Sequence, residues 1–205
     1  EDIENFALSN DSKNYMAILA TAGTGKSALL AKFITHWEKE HSDIPIISHA
    51  MSMGIDSREV NGMLTNIGEQ LKEAGIIDKE LSSDPIELRG QIRLSLEQSQ
   101  KKFILAIDGL DEIEENGKEL SWLPKNIPEN VRLIFSIRPV PPWNILSNYE
   151  RIVSIELLAL SDDEIGEIIE QYNKFNSLSL DKSDMQLLQK RAAGNPLYLK
   201  VAMEE

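Results

Sequence analysis

Apolar residues along this chain gather in five short runs, separated by longer stretches in which they recur at helical spacing. The runs Tyr15–Ala20, Ile44–Ala50, Lys102–Asp108, Val131–Ile137 and Arg151–Leu157 have the length and near-continuous apolarity of strands buried on both faces. Between them the spacing predicts helices near 26–40, 57–74, 85–100 and 112–120. In the first helix Leu29, Leu30, Phe33, Ile34 and Trp37 share one face, which suits packing on a sheet. Alternation of this kind predicts a parallel sheet covered on both sides. After Leu160 the pattern changes. Ser161-Asp162-Asp163-Glu164 reads as a capping box ahead of Ile165, Ile168, Ile169 and Tyr172, and another helix spans about 183–191. No strand follows, so we expect an α/β core over 1–157 and the start of a small helical subdomain over 158–205.

Composition narrows the chemistry. The chain's 205 residues suffice for one well-buried α/β domain with a small appendage. There are no cysteines, which excludes disulfides and thiolate metal sites and fits an expected cytoplasmic setting. His36, His41 and His49 show no metal-ligand spacing. A net charge of −13 argues against this domain gripping a nucleic-acid backbone, which needs a basic face. No apolar run approaches the ~20 residues of a membrane helix, and the acidic start Glu1-Asp2-Ile3-Glu4-Asn5 is not a signal peptide. The missing initiator Met, and an end at Glu205 inside a helical pattern, predict a piece of a longer protein.

Three stretches carry candidate chemistry. Ala20-Thr21-Ala22-Gly23-Thr24-Gly25-Lys26-Ser27, followed by Ala28, has the spacing of a phosphate-binding loop between a strand and a helix. Gly23 and Gly25 would let backbone N–H groups curl around phosphate oxygens at a positive helix end. Lys26 would reach the β- and γ-phosphates, and the Ser27 hydroxyl would ligate Mg²⁺. Ala20 stands where glycine is usual, and a negative φ there accommodates it. The second stretch is FILAIDGLDEI, 103–113. An Asp closing a buried strand needs a cation or partners, so Asp108 would hold Mg²⁺ through water, and Asp111 and Glu112 would position the attacking water. Alone, these two acids fit a helix start equally well. The third is LIFSIRPV, 133–140, where Arg138 at a strand's C-terminal edge would sense a γ-phosphate or stand as a surface loop residue.

In this order, and followed by GNPLYLKVA at 194–202, these motifs resemble the NACHT domains of the STAND class of P-loop ATPases. The Gly-Asn-Pro-Leu-Tyr-Leu form is most similar to the branch of nephrocystin and telomerase-associated proteins and their bacterial antiviral relatives. The resemblance implies a three-layer P-loop NTPase sandwich with sheet order 5-1-4-3-2. It implies that Pro196 closes over the adenine, and that ATP or ADP with Mg²⁺ drives a slowly hydrolysing switch. That switch would form homo-oligomers when activated, with sensor and effector domains in the same longer chain. A motor of the AAA+ type would want a trans-acting arginine after the fourth strand, and Arg151 lies inside the fifth. A GTPase would carry Asn-Lys-x-Asp, which Asn173-Lys174-Phe175-Asn176 fails at its last position. A nucleotide-bound scaffold that never hydrolyses stays open beside the switch.

Overall fold

The computed structural model describes residues 2–51, 59–113, 120–175 and 180–204. Its strands are β1 (Tyr15–Leu19), β2 (Ile46–Ala50), β3 (Phe103–Asp108), β4 (Val131–Ile137) and β5 (Ile152–Glu156). The helices are α1 (Asp2–Leu8), α2 (Lys26–Glu40), α3 (Val60–Glu73), α4 (Pro85–Gln98), α5 (Trp143–Leu146), α6 (Asp162–Phe175), α7 (Lys182–Ala192) and α8 (Pro196–Glu204). All strand pairs are parallel, in the order β2-β3-β4-β1-β5, as the resemblance implies.

Strand alternation sorts the core into two layers. On one face Tyr15, Ala17, Phe103, Leu105, Val131, Leu133 and Phe135 pack with Met63, Leu64, Ile67 and Leu71 of α3 and with Leu88, Ile92 and Leu96 of α4. On the other, Met16, Ile18, Ile104, Ala106 and Ile134 meet Leu30, Phe33 and Trp37 of α2 and Ile3, Phe6 and Ala7 of α1. The helical period therefore located the buried face of α2 correctly. A third, small cluster of Ile165, Ile169, Ala192 and Leu199 joins α6, α7 and α8. The Ser161 capping box forms: Glu164 Oε2 accepts from Ser161 N at 2.8 Å and from its hydroxyl at 2.7 Å.

Two expectations are revised or fall outside the description, and one helix was not foreseen. The helix expected over 112–120 is a 3-10 turn at Leu110–Glu112 and another at Leu120–Trp122, and residues 114–119 lie outside the described residues. The start expected near 57 for α3 also falls there; its described part begins at Val60. Finally, α1 escapes the sequence pattern because seven residues give too few periods to recognise.

What holds α1 down is Arg132, 2% exposed, on the α1 side of β4. Its Nη1 donates to Glu129 O at 2.6 Å, its Nη2 to Ser9 O at 2.6 Å and its Nε to Phe6 O at 3.3 Å. The guanidinium carbon also lies 5.7 Å from the Phe6 ring centre. A buried cation is tolerated here because carbonyl oxygens replace its water. Arg132→Met keeps the bulk but removes the donors, and we expect a loss of about 2–3 kcal/mol of stability. Hydrogen exchange should accelerate over residues 2–11; unchanged protection there would show that apolar contacts alone seat α1.

Candidate functional site

The parallel order puts the C-terminal ends of β3, β4 and β1 side by side. From β1 the chain enters the glycine-containing loop. Ala20 is 5% exposed and has no positive φ, so its Cβ costs nothing. Gly23 at φ 80° and Gly25 at φ 96° make the turn that delivers the chain into α2. The Lys26 ammonium folds over this loop and donates to Ala20 O at 2.9 Å and Thr21 O at 2.8 Å. Thr24 Oγ1 donates to Thr21 O at 2.8 Å and stiffens the loop from inside. Burial lowers the Lys26 pKa from its ordinary value, and the negative charge of Asp111 offsets part of that. Ser27 and Ala28 lie exposed on the first turn of α2.

Asp108 ends β3, and the Ser136 hydroxyl of β4 donates to its Oδ1. The same hydroxyl accepts from Gly109 N at 2.8 Å. Gly109, at φ 74°, then starts the 3-10 turn closed by Glu112 N donating to Gly109 O at 2.7 Å. This turn carries Asp111 back across the end of β4. There Asp111 Oδ1 accepts from Arg138 N at 2.9 Å, and Oδ2 accepts from Arg138 Nε. The Asp111 side chain is 2% exposed and that of Arg138 is 43% exposed. The Arg138 pKa is raised, first by this hydrogen bond and then by the Asp111 charge.

A third contributor comes from the turn between α7 and α8. Gly194, at φ 82°, packs so closely that a Cβ would sit 2.7 Å from Ala159 Cβ and 2.9 Å from Leu160 O. Asn195 caps α8, its Oδ1 accepting from Leu197 N at 2.9 Å and Tyr198 N at 3.1 Å. Its Nδ2 leans on Ala22 O at 3.4 Å, and Leu197 N donates to Gly23 O at 3.3 Å. A Cβ on Gly23 would lie 2.6 Å from Asn195 Nδ2, so a side chain there would push the Asn195 amide aside as well as strain the φ.

Together these parts enclose a cleft of about 410 Å³. Ala22, Gly23, Gly25, Lys26, Ser27 and Ala28 line one wall, and Asp111, Glu112 and Arg138 line another. Pro196, Leu197 and Lys200 of α8 form the third. Ala20, Thr21, Thr24 and Asp108 are not among its lining residues. A second cleft of about 480 Å³, lined by residues 75–79, 91, 94, 95 and 98–101, holds none of the motif residues; chemistry, not volume, selects the first. Sequence reasoning left Ser136, Asn195, Leu197 and Lys200 without roles. Ser136 had a signal: it is a polar residue in the otherwise apolar end of β4, where a buried hydroxyl must have a partner.

The comparisons agree with this fold. A family model described as the NACHT domain matches residues 14–175. A TPR repeat-containing protein of Dictyostelium discoideum is 21% identical over 94% of this chain and 14% of its own length. Human nephrocystin-3 is 28% identical over 60% of this chain and 10% of its own length. The chain thus spans a small fraction of the curated relatives it matches. Among solved structures, Drosophila ORC bound to DNA has a TM-score of 0.65 at 13% identity, covering 98% of this chain and 52% of that one. AMPPCP-bound DnaA from Aquifex aeolicus has a TM-score of 0.57 at 15% identity, covering 97% and 56%. At such identities these two likenesses speak for the P-loop fold alone. With a family model spanning most of its length and the loop, acidic turn and strand-end arginine on one cleft, the chain belongs to the NACHT domain family.

Proposed function

We propose that the protein is an ATP-binding, slowly hydrolysing switch module within a larger multidomain protein. The observation that carries this reading is convergence: the loop around Lys26, the acidic turn, Arg138 and the Pro196 end of α8 all face one cleft. In the proposed division, the core over 1–157 holds the phosphates and the helical unit over 158–205 closes on the base through Pro196. The loop backbone from Ala20 to Ser27, with Ala28, cradles the phosphates, and Lys26 neutralises the β- and γ-phosphates. Arg138 reads the γ-phosphate.

Magnesium fits the donors present. Ser27 offers an exposed hydroxyl, and the Ser136 bond takes only Oδ1 of Asp108, leaving Oδ2 without a protein partner among the described residues. The ion would neutralise phosphate charge there. In the hydrolytic step, Glu112 orients a water whose oxygen bonds to the γ-phosphorus. The bond to the β–γ bridging oxygen breaks, its electron pair leaves with ADP, and the water's proton passes to Glu112. The base and the β-phosphate are common to ADP and ATP, so only the γ-phosphate contacts can shift the module between states. Moving a 1:99 equilibrium to 99:1 takes about 5.5 kcal/mol of differential binding. ADP would hold the closed form, and ATP an open one that homo-oligomerises with its sensor and effector domains. A motor reading is less favoured: Arg151 Nη1 is spent within the chain on Asn14 Oδ1 at 3.3 Å and Ile127 O at 3.4 Å.

Lys26→Ala removes the cation facing the phosphates, and roughly ten- to a hundredfold weaker ATP and ADP binding is expected by calorimetry. Unchanged affinity would remove the nucleotide assignment. Arg138→Ala should cost ATP affinity by about the same factor and leave ADP nearly untouched; equal losses would make Arg138 structural. Glu112→Gln should slow turnover about a hundredfold or more while ATP stays bound. Full turnover in that variant would leave Glu112 a turn residue only.

A further inference from the structure

The strongest unassigned feature of the cleft is the way Asp111 is used. The 3-10 turn after Gly109 aims this carboxylate at β4, not outward, and Arg138 engages both of its oxygens, one through the backbone N–H and one through Nε. Both acids border the cleft, but at 2% exposure and with both oxygens engaged by Arg138 the Asp111 side chain has almost no surface from which to meet a water. Adjacent acids that look equivalent in the sequence therefore stand in different surroundings.

The guanidinium is held at one corner. Nε is committed to Asp111, while the two terminal nitrogens, Nη1 and Nη2, have no protein partner among the described residues, on a side chain that lines the cleft. Those two nitrogens form the fork that matches a phosphate edge. An arginine side chain has several rotatable bonds, and fixing Nε removes most of that freedom before a ligand arrives. The anchor on the backbone N–H ties the same carboxylate to the strand end, so the tether cannot drift with the side chain it holds.

Resting on the nucleotide reading above, we infer that Asp111 is a positioning residue that presents Arg138 to the terminal phosphate, and that it is not the acid that handles water. Asp111 thus belongs to the discrimination of ATP from ADP, and Glu112 to turnover. Ser136 plays the parallel part for Asp108, holding it at the neighbouring strand end.

Asp111→Asn is the sharpest probe, because it is isosteric. Its Oδ1 can still accept from Arg138 N, but an amide NH₂ then faces the Nε–H donor and the side-chain tether is lost. ATP and ADP affinities, with single-turnover rates, would be measured by calorimetry and phosphate release for the parent protein, Asp111→Asn, Glu112→Gln, Arg138→Ala and the Asp111→Asn/Arg138→Ala pair. We expect Asp111→Asn to lose about tenfold in ATP affinity with ADP changed less than about twofold. The same substitution should cost nothing further in the Arg138→Ala background, since the two residues act as one unit. Unchanged ADP affinity would also show that the variant folds.

Asp111→Asn that keeps its ATP preference but loses turnover would overturn the inference and make Asp111 a water-handling acid. A tighter ATP complex would overturn it too, because Asp111 would then be competing with the phosphate for Arg138. So would a further loss in the double variant. A parent protein that binds neither nucleotide would remove the underlying reading itself, an outcome distinct from all of these.

Discussion

Three parallel strands ending at one level are the constraint on which the rest of the molecule depends. Because β4 lies between β1 and β3, residues far apart in the chain meet at one edge of the sheet. The register Leu19↔Ile137 brings the loop beside the Arg138 strand, and Ile107↔Phe135 brings Asp108 level with Ser136. Crevices at the carboxyl ends of such sheets are where ligands generally bind. A different strand order with the same sequence motifs would scatter them. The apolar layers on the two faces, with Trp37 and Trp122 fully buried, hold that order in place.

Against this rigid edge sits a smaller, separately packed unit. The three helices α6, α7 and α8 bury only a handful of side chains among themselves, so their attachment to the core rests on a few contacts. One pair is visible at the site, Asn195 with Leu197 against Ala22 and Gly23, while Gly194 presses on residues 159–160 within the unit itself. The pair is long, at 3.4 and 3.3 Å, so each bond is weak. A few weak bonds across the glycine loop are compatible with the proposed switch, since a strongly bonded interface would need a larger differential binding energy to move.

Much of this was legible in the sequence, and the reasons are physical. Strands buried on both faces show as unbroken apolar runs, and a glycine-rich loop between a strand and a helix has few other uses, so the sheet and the loop were readable from spacing. The helical face of α2 followed from period alone. What was illegible depended on tertiary pairing. Asp111 and Glu112 are neighbours with the same charge, and only the turn after Gly109 shows that Asp111 gives both oxygens to Arg138. Ser136 signals only that it needs a partner and Asn195 only that it caps a helix; that they also meet Asp108 and Ala22, far away in the chain, no local pattern encodes. The seven residues of α1 are held by the buried Arg132, again a long-range bond. The segment 112–120 was read as a helix because its acids and apolar residues fit a helical start; Ile113 instead leaves the turn in an extended conformation.

The central claim is that the γ-phosphate decides where the helical unit stands relative to the core. The chain has no cysteine, so two introduced ones would take labels cleanly. Lys32 on α2 and Lys190 on α7 are both exposed and suit Lys32→Cys and Lys190→Cys. Distance distributions between spin labels at these positions would be recorded with Mg²⁺ and either ADP or a non-hydrolysable ATP analogue at saturation. The expected result is one narrow distribution with ADP and a displaced or broader one with the analogue, with the displacement lost in Arg138→Ala. Identical distributions with both nucleotides, at confirmed saturation, would contradict the switch and leave a nucleotide-bound scaffold in its place.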